Sequence, residues 1–307
     1  MDPIIASGEI ILSGAPGMLG AALHRELTAK GISTLQLLRR VPTAKGQLQW
    51  NPGVECPLEN PALLEGAAAA IHLSGASVAA HRWTDAYKHE VAASRIDSTN
   101  RLARVLASLH QPPKAFLVAS AIGIYGDRGD EILAETSAPG RGFLVDVCEQ
   151  WEAAAAPAVQ AGIRVVHLRF GVVLGPGRGA LQQMLPPFRL GLGARLGSGR
   201  QWMSWVGLAD VVAAVQFALK HPDLSGPLNV TAPNPVTNAE FTSALGRQLH
   251  RPAFLTVPAF AMRAMFGQMA DEALLASARA YPVKLQAAGF QFSLPTIRDA
   301  LRRALRS

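Results

Sequence analysis

Residues Gly8 to Gly31, GEIILSGAPGMLGAALHRELTAKG, constrain the fold of this chain more than any other stretch. Glu9 to Ser13 has the character of a short buried parallel strand, and it stops at Gly14, where the chain must turn sharply. From Met18 onward Leu19, Ala22, Leu23 and Leu27 recur at helical spacing, Lys30 suits the negative end of the helix dipole, and Gly31 supplies a C-terminal cap. The stretch therefore predicts strand, glycine turn and helix. Its glycines fall as Gly14-x-x-Gly17-x-x-Gly20. Gly14 permits the turn, Gly17 lets backbone amides approach a pyrophosphate, and Gly20 lets helix and strand pack closely. The pyrophosphate would sit at the helix N-terminus, at Met18 and Leu19. A glycine turn without a ligand reads the same way in isolation, so the rest of the chain must decide.

The pattern continues as alternating strands and helices. Ser33 to Leu38 reads as a second strand ending at Arg39-Arg40, where an arginine accommodates a 2′-phosphate and an acidic residue would instead bind a ribose hydroxyl. That charge points to NADP rather than NAD; the alternative is an arginine pair that simply ends a strand in solvent. Gln47 to Trp50 fits a short third strand, and the apolar run Ala67 to Ser74, interrupted only by His72, fits a fourth that ends at Gly75. His72 reads as a core histidine. Thr84 caps a helix running to about Leu109, before Pro112-Pro113. Ala115 to Ala119 is a fifth strand that delivers Ser120 to its C-terminal end, where ligands of doubly wound sheets bind, and Tyr125 follows in the loop. A helix over Phe143 to Ala161 is expected to kink or stop at Pro157, and Arg164 to Arg169 is strand six.

From Gly171 the repeat breaks. GPGRG at 175–179, Pro186-Pro187 and the glycines of 191–199 suggest a lid over the strand ends. Leu208 to Leu219 reads as a helix, Pro227 to Val230 as a last core strand, and Thr237 with Glu240 as a capping box. The expected architecture is α/β, a doubly wound parallel sheet with a smaller, mostly helical C-terminal lobe. Residues 1–175, with 204–235 returning, form the dinucleotide domain, and 176–203 with 236–307 form the lid and substrate lobe.

Composition narrows the function classes. The net charge of +7 is scattered apart from Arg298, Arg302, Arg303 and Arg306, which read as the solvated face of a last helix and not as a nucleic-acid surface. Two cysteines, Cys56 and Cys148, give neither a disulfide framework nor metal-ligand spacing, so no metal is expected. No apolar run reaches membrane-spanning length and the N-terminus lacks a secretory signal, so the expectation is a cytoplasmic protein acting on a small molecule.

Read together, SGAPGMLG, LLRR, AAIHLSGA, SRIDSTNRL, VASAIGIYGDRGDE and LRFGVVLGPG resemble the extended short-chain dehydrogenase/reductases. GASVAAHRWTDAYKHEVAASR, GFLVDVCEQWEAAA, MLPPFRLGLGARLGSGRQWMSW and NVTAPNPVTNAEF narrow the resemblance to epimerase-family proteins with a C-terminal domain of unknown function. The resemblance implies a Rossmann domain that binds NADP. It places the glycine loop, Arg39, Leu73, Ser74 and Val173 against the dinucleotide. It also puts Arg95 where sugar-nucleotide epimerases carry an asparagine near the cofactor, with Glu90 as its polar partner.

One departure matters for chemistry. Such reductases rely on Y-x-x-x-K, in which the lysine charge lowers the tyrosine pKa for proton transfer. Four residues after the three tyrosines stand Val91, Gly129 and Leu285, and no lysine occurs between Lys114 and Lys220. The helix that should carry the pair has Phe143 or Leu144 followed by Val147 or Cys148. Two readings stay open: an NADP(H)-dependent oxidoreductase or epimerase whose acid/base comes from Tyr125, Asp127 or a neighbour, with Ser120 orienting substrate, or a non-catalytic NADP(H) sensor or interaction module.

Overall fold

Continuous apolar runs become strands buried on both faces, as a parallel sheet covered by helices requires. In the computed structural model, which describes residues 8–306, β1 (Ile10–Ser13) is buried at every position. It pairs in parallel with β2 (Thr34–Leu38) on one side and β4 (Ala69–His72) on the other. β3 (Gln47–Gln49) extends the β2 edge, while β5 (Ala115–Ala121), β6 (Arg164–Phe170) and β7 (Gly226–Val230) extend the β4 edge. The spatial order is β3-β2-β1-β4-β5-β6-β7, every pair parallel. This is the doubly wound Rossmann order, and its direction of winding reverses between β1 and β4, where a crevice opens beyond the strand ends.

The crossovers follow local signals. α1 (Met18–Ala29) buries Gly20, Ala22, Leu23 and Leu27 on the sheet. α2 (Asp85–Ala107) starts where the Thr84 side chain accepts the Tyr87 N–H. The expected single helix over 143–161 is two, α3 (Phe143–Ala153) and α4 (Ala156–Gln160), with Pro157 in the first turn of the second, where its missing N–H costs nothing.

Beyond β6 the lid is more regular than its prolines and glycines suggest. Pro186 and Pro187 lie inside α5 (Ala180–Arg189), which holds because Leu181, Leu185 and Phe188 are buried together along one face. These residues join α6 (Asn238–Leu249) and α7 (Ile297–Leu305) around Trp205, a second core separate from that of the sheet. The Thr237–Glu240 capping box opens α6. On α7 and its C-cap, Arg298, Arg302, Arg303 and Arg306 are exposed, while Ala300, Leu301 and Ala304 are buried. Among the described residues no helix is long and apolar enough to cross a membrane, and no cluster of three or more His, Cys, Asp or Glu could hold a metal.

Candidate functional site

The turn between β1 and α1 is built by its glycines. Gly14 has φ of +77°, and a Cβ on it would come within 2.7 Å of the Leu73 backbone at the end of β4. A Cβ on Gly20 would meet the Gly14 carbonyl at 2.3 Å, so α1 can approach the turn only because position 20 is bare. Gly17 differs. Its φ of −70° suits any residue, and a Cβ there would meet only the Gly14 carbonyl, at 3.1 Å. The protein leaves the space over Gly17 open. As N-cap of α1, Gly17 offers no side-chain acceptor, and the first turn has no acidic residue. The Met18, Leu19 and Gly20 amides therefore lack a local side-chain anion, the condition under which a helix N-terminus suits a diphosphate.

Beside the turn, β4 ends in a chain of hydrogen bonds. Ser74 Oγ donates to Ser13 Oγ (3.1 Å), which bonds His72 Nδ1 (2.5 Å); His72 Nε2 meets Ser98 Oγ (3.0 Å), which donates to the Ser94 carbonyl (2.7 Å). The final donation leaves Ser98 Oγ to accept from Nε2–H, so Nδ1 accepts from Ser13 and the ring is neutral. His72 is thus a satisfied core histidine that fixes the two strand ends flanking Gly14. Burial holds its pKa down at about 3, against 6.5 ordinarily. Between those values the unfolded chain binds the extra proton, so stability is full above pH 6.5 and falls as pH drops toward 3. The expected slope is up to about 1.4 kcal/mol per pH unit. Urea unfolding at several pH values should show it, and His72→Asn should flatten it; identical slopes in the two proteins would remove the assignment.

Arg39 and Arg40 follow β2 directly, exposed and without a protein partner among the described residues. Leu73, Ser74 and Gly75 leave β4 along the opposite side of the crevice. Arg95, from α2, packs its guanidinium against Gly75, where a Cβ would stand 3.3 Å from its Cζ. Its Nη2 donates to the Ala76 carbonyl and its Nη1 to the Val91 carbonyl, each at 2.9 Å, and its cation sits 5.2 Å from the Trp151 ring. Arg95 thus anchors the β4 loop as a wall of the crevice. Glu90 is not its partner: it is exposed on α2, four residues before Ser94, whose Oγ receives the Ala76 N–H. Val173 lies on the other side, in the short strand Val172–Leu174 that pairs with Trp205–Gly207, and packs against the sheet core.

Ser120 and Tyr125 are buried. β5 runs to Ala121, two residues beyond the expected end, so Ser120 is an interior strand position, 2% exposed, and its hydroxyl donates to Glu152 Oε1 at 2.7 Å. Tyr125 ends the 3-10 turn Ile122–Tyr125 with 0% exposure. Its hydroxyl donates to Asn229 Oδ1 (2.7 Å), lies 3.0 Å from the Ala134 carbonyl and accepts from Arg169 Nη1 (3.1 Å). Burial raises the phenol pKa, outweighing the Arg169 charge. Arg169 completes the network with a two-pronged pair to Glu152, Nε to Oε1 and Nη2 to Oε2, each 2.8 Å. Burial pushes the Glu152 carboxyl up, but the Arg169 and Ser120 hydrogen bonds more than reverse it, leaving the carboxyl below its ordinary value. The Ser120 and Tyr125 hydroxyls are thus both engaged by partners within the protein.

The family assignment rests on likeness along the whole chain. The sequence model of the NAD dependent epimerase/dehydratase family matches residues 10–231, and that of a domain of unknown function (DUF1731) matches residues 257–304. The chain belongs to the NAD dependent epimerase/dehydratase family. An epimerase family protein of Mycobacterium bovis, Mb2239, is 45% identical over 97% of each chain, and epimerase family protein SDR39U1 of Mus musculus is 35% identical over 95% of this chain and 98% of its own. The crystal structure of human SDR39U1 with NADPH superposes with a TM-score of 0.89 at 32% identity, covering 97% of this chain and 99% of that one.

In this epimerase-family chain the helix that would present tyrosine and lysine instead turns Leu144 and Cys148 toward Gly123, at 3.7 and 3.8 Å from where its Cβ would be. Burial drives the Cys148 thiol up to about 12, so at neutral pH it is an uncharged thiol and cannot stand in for the lysine. Next to Gly123 and Leu144 opens a cavity of about 300 Å³, bordered also by Asp127, Arg141, Arg263 and Glu272. The C-terminal lobe closes it: Glu272 Oε2 accepts the Leu144 N–H at 2.8 Å, placing a carboxylate at the start of α3. Glu152, Glu272 and Arg141 were not singled out from the sequence. No local pattern marks them, because each acquires its role from residues far away in the chain.

Proposed function

We propose that this chain binds NADP(H) across the C-terminal ends of β1, β2 and β4 and uses it in a redox or epimerisation step on a small molecule held in the cavity beside Leu144 and Glu272. The observation that carries the cofactor choice is the pair Arg39 and Arg40, two exposed guanidinium groups at the end of β2 with no partner among the described residues. In this fold that point faces the adenosine ribose, and a 2′-phosphate there gains charge-assisted, two-pronged hydrogen bonds. The NADPH in the human relative supports the same choice. The open space over Gly17 and the free amides of α1 fit the diphosphate.

When bound, the cofactor supplies a hydride donor or acceptor. The chain's own part is to hold the diphosphate on the α1 amides, wall the crevice with Arg95 and Gly75, and shape the cavity through Asp127, Arg141 and Glu272. The proton comes from a cavity carboxyl or from water, since Ser120 and Tyr125 are sealed in their own network. Free thiols at Cys56 and Cys148 suit a cytoplasmic location. The sealed hydroxyls and the neutral Cys148 also favour a second reading, a non-catalytic protein that reports the NADP(H) state.

Calorimetric titration with NADPH and NADH tests the cofactor. NADPH should bind more tightly, and Arg39→Ala should weaken NADPH by roughly ten- to a hundredfold, the worth of one charge-assisted contact, while leaving NADH unchanged. Equal affinities in the unmutated protein would sink the NADP assignment. Turnover separates the two readings: NADPH consumption or product epimerisation across a panel of carbonyl compounds supports the enzyme, and tight binding without turnover supports the sensor.

A further inference from the structure

Residues 175–179, Gly-Pro-Gly-Arg-Gly, leave the strand Val172–Leu174 and pass over the beginning of α1. The approach is close. A Cβ on Gly175 would stand 3.1 Å from the Met18 sulfur, and one on Gly179 would stand 3.1 Å from the Met18 terminal methyl. Gly177 and Gly179 carry φ of +74° and +91°, which hold Arg178 on a turn that other residues would strain. Arg178 is exposed, and its Nη1 donates to the Pro16 carbonyl at 3.0 Å. Pro16 lies inside the glycine turn, two residues before Met18.

A cation from the lid therefore rests on the loop whose amides face the diphosphate. Its guanidinium has five N–H donors, and one is committed to Pro16. The first turn of α1 has no acidic residue to neutralise it. We infer that Arg178 is a cofactor-binding residue: it closes the pyrophosphate site from the lid side and donates charge-assisted hydrogen bonds to the diphosphate, while Pro16 holds it in place. The inference rests on the NADP(H) reading above and adds to it a residue outside the glycine motif and outside the β2 end.

The two arginines act on different parts of the ligand, and this makes the inference testable. Arg39 meets a phosphate that only NADP(H) carries, whereas Arg178 meets the diphosphate shared by NADPH, NADH and ADP. Arg178→Ala should weaken NADPH and NADH by the same factor, roughly ten- to a hundredfold. It should also reduce the preference for ADP over AMP, without changing the melting temperature of the ligand-free protein. Arg178→Lys keeps the charge without the planar fork and should recover part of the loss. Calorimetric titration of the full chain reads all four ligands. Unchanged NADPH and NADH affinity in Arg178→Ala would overturn the inference alone, and so would a loss confined to NADPH. Failure of the unmutated protein to bind either dinucleotide would overturn the cofactor reading and this inference with it.

Discussion

Arg169→Ala should destabilise the folded chain by about 3–5 kcal/mol, the range for breaking a buried ion pair by deleting one partner. The Arg169 and Glu152 side chains are only 7% and 13% exposed, so solvent does little to screen what is left. Without the guanidinium, Glu152 keeps only the Ser120 hydroxyl as a hydrogen-bond partner among the described residues, and Tyr125 loses its cationic donor. The stranded carboxylate then prefers its protonated form, because burial is no longer opposed by a nearby cation. The stability loss should accordingly be smaller at pH 5 than at pH 8, and Glu152→Gln in the Arg169→Ala background should restore part of it. Urea unfolding at the two pH values measures both effects. A loss below about 1 kcal/mol, the size of an exposed pair, would show that the network is not the buried structural unit described above.

Gly17→Val should abolish NADPH binding, with an affinity loss of at least about a hundredfold, while the chain still folds. Two charge-assisted hydrogen bonds to backbone amides are at stake, each contributing about 1.5–3 kcal/mol. The structure makes this a fair test of ligand binding because Gly17 has an ordinary φ of −70° and a Cβ there needs only a small shift of the Gly14 carbonyl, 3.1 Å away. Gly20→Val is the contrasting variant. Its Cβ would fall 2.3 Å from that carbonyl, so it should disrupt the β1–α1 unit itself. Circular dichroism separates the two, and titration with NADPH reads the first. A folded Gly17→Val protein with unaltered NADPH affinity would remove the glycine turn from the binding site.

The sequence by itself determined the features that depend on neighbours within a few residues. The strand, glycine turn and helix of 8–31 are such a feature, because φ above zero at Gly14 and helical spacing from Met18 are local properties. The Thr84 and Thr237 caps and the break near Pro157 follow from backbone hydrogen bonds within one turn. That Arg39 and Arg40 follow the second strand was legible because the strand beside a glycine turn and its helix has a fixed place in a doubly wound sheet. The chemistry of the crevice was a different matter. Ser120 reads as a site residue only if β5 ends before it; with the strand continuing to Ala121, alternation directs its hydroxyl to Glu152. Tyr125 turns inward because Asn229, 104 positions later, and Arg169, 44 positions later, meet its hydroxyl. Glu272 reaches the start of α3 from 128 residues away. Which way a polar side chain faces is decided by the partners that satisfy it once buried, and those partners are brought together only by the packing of the whole chain.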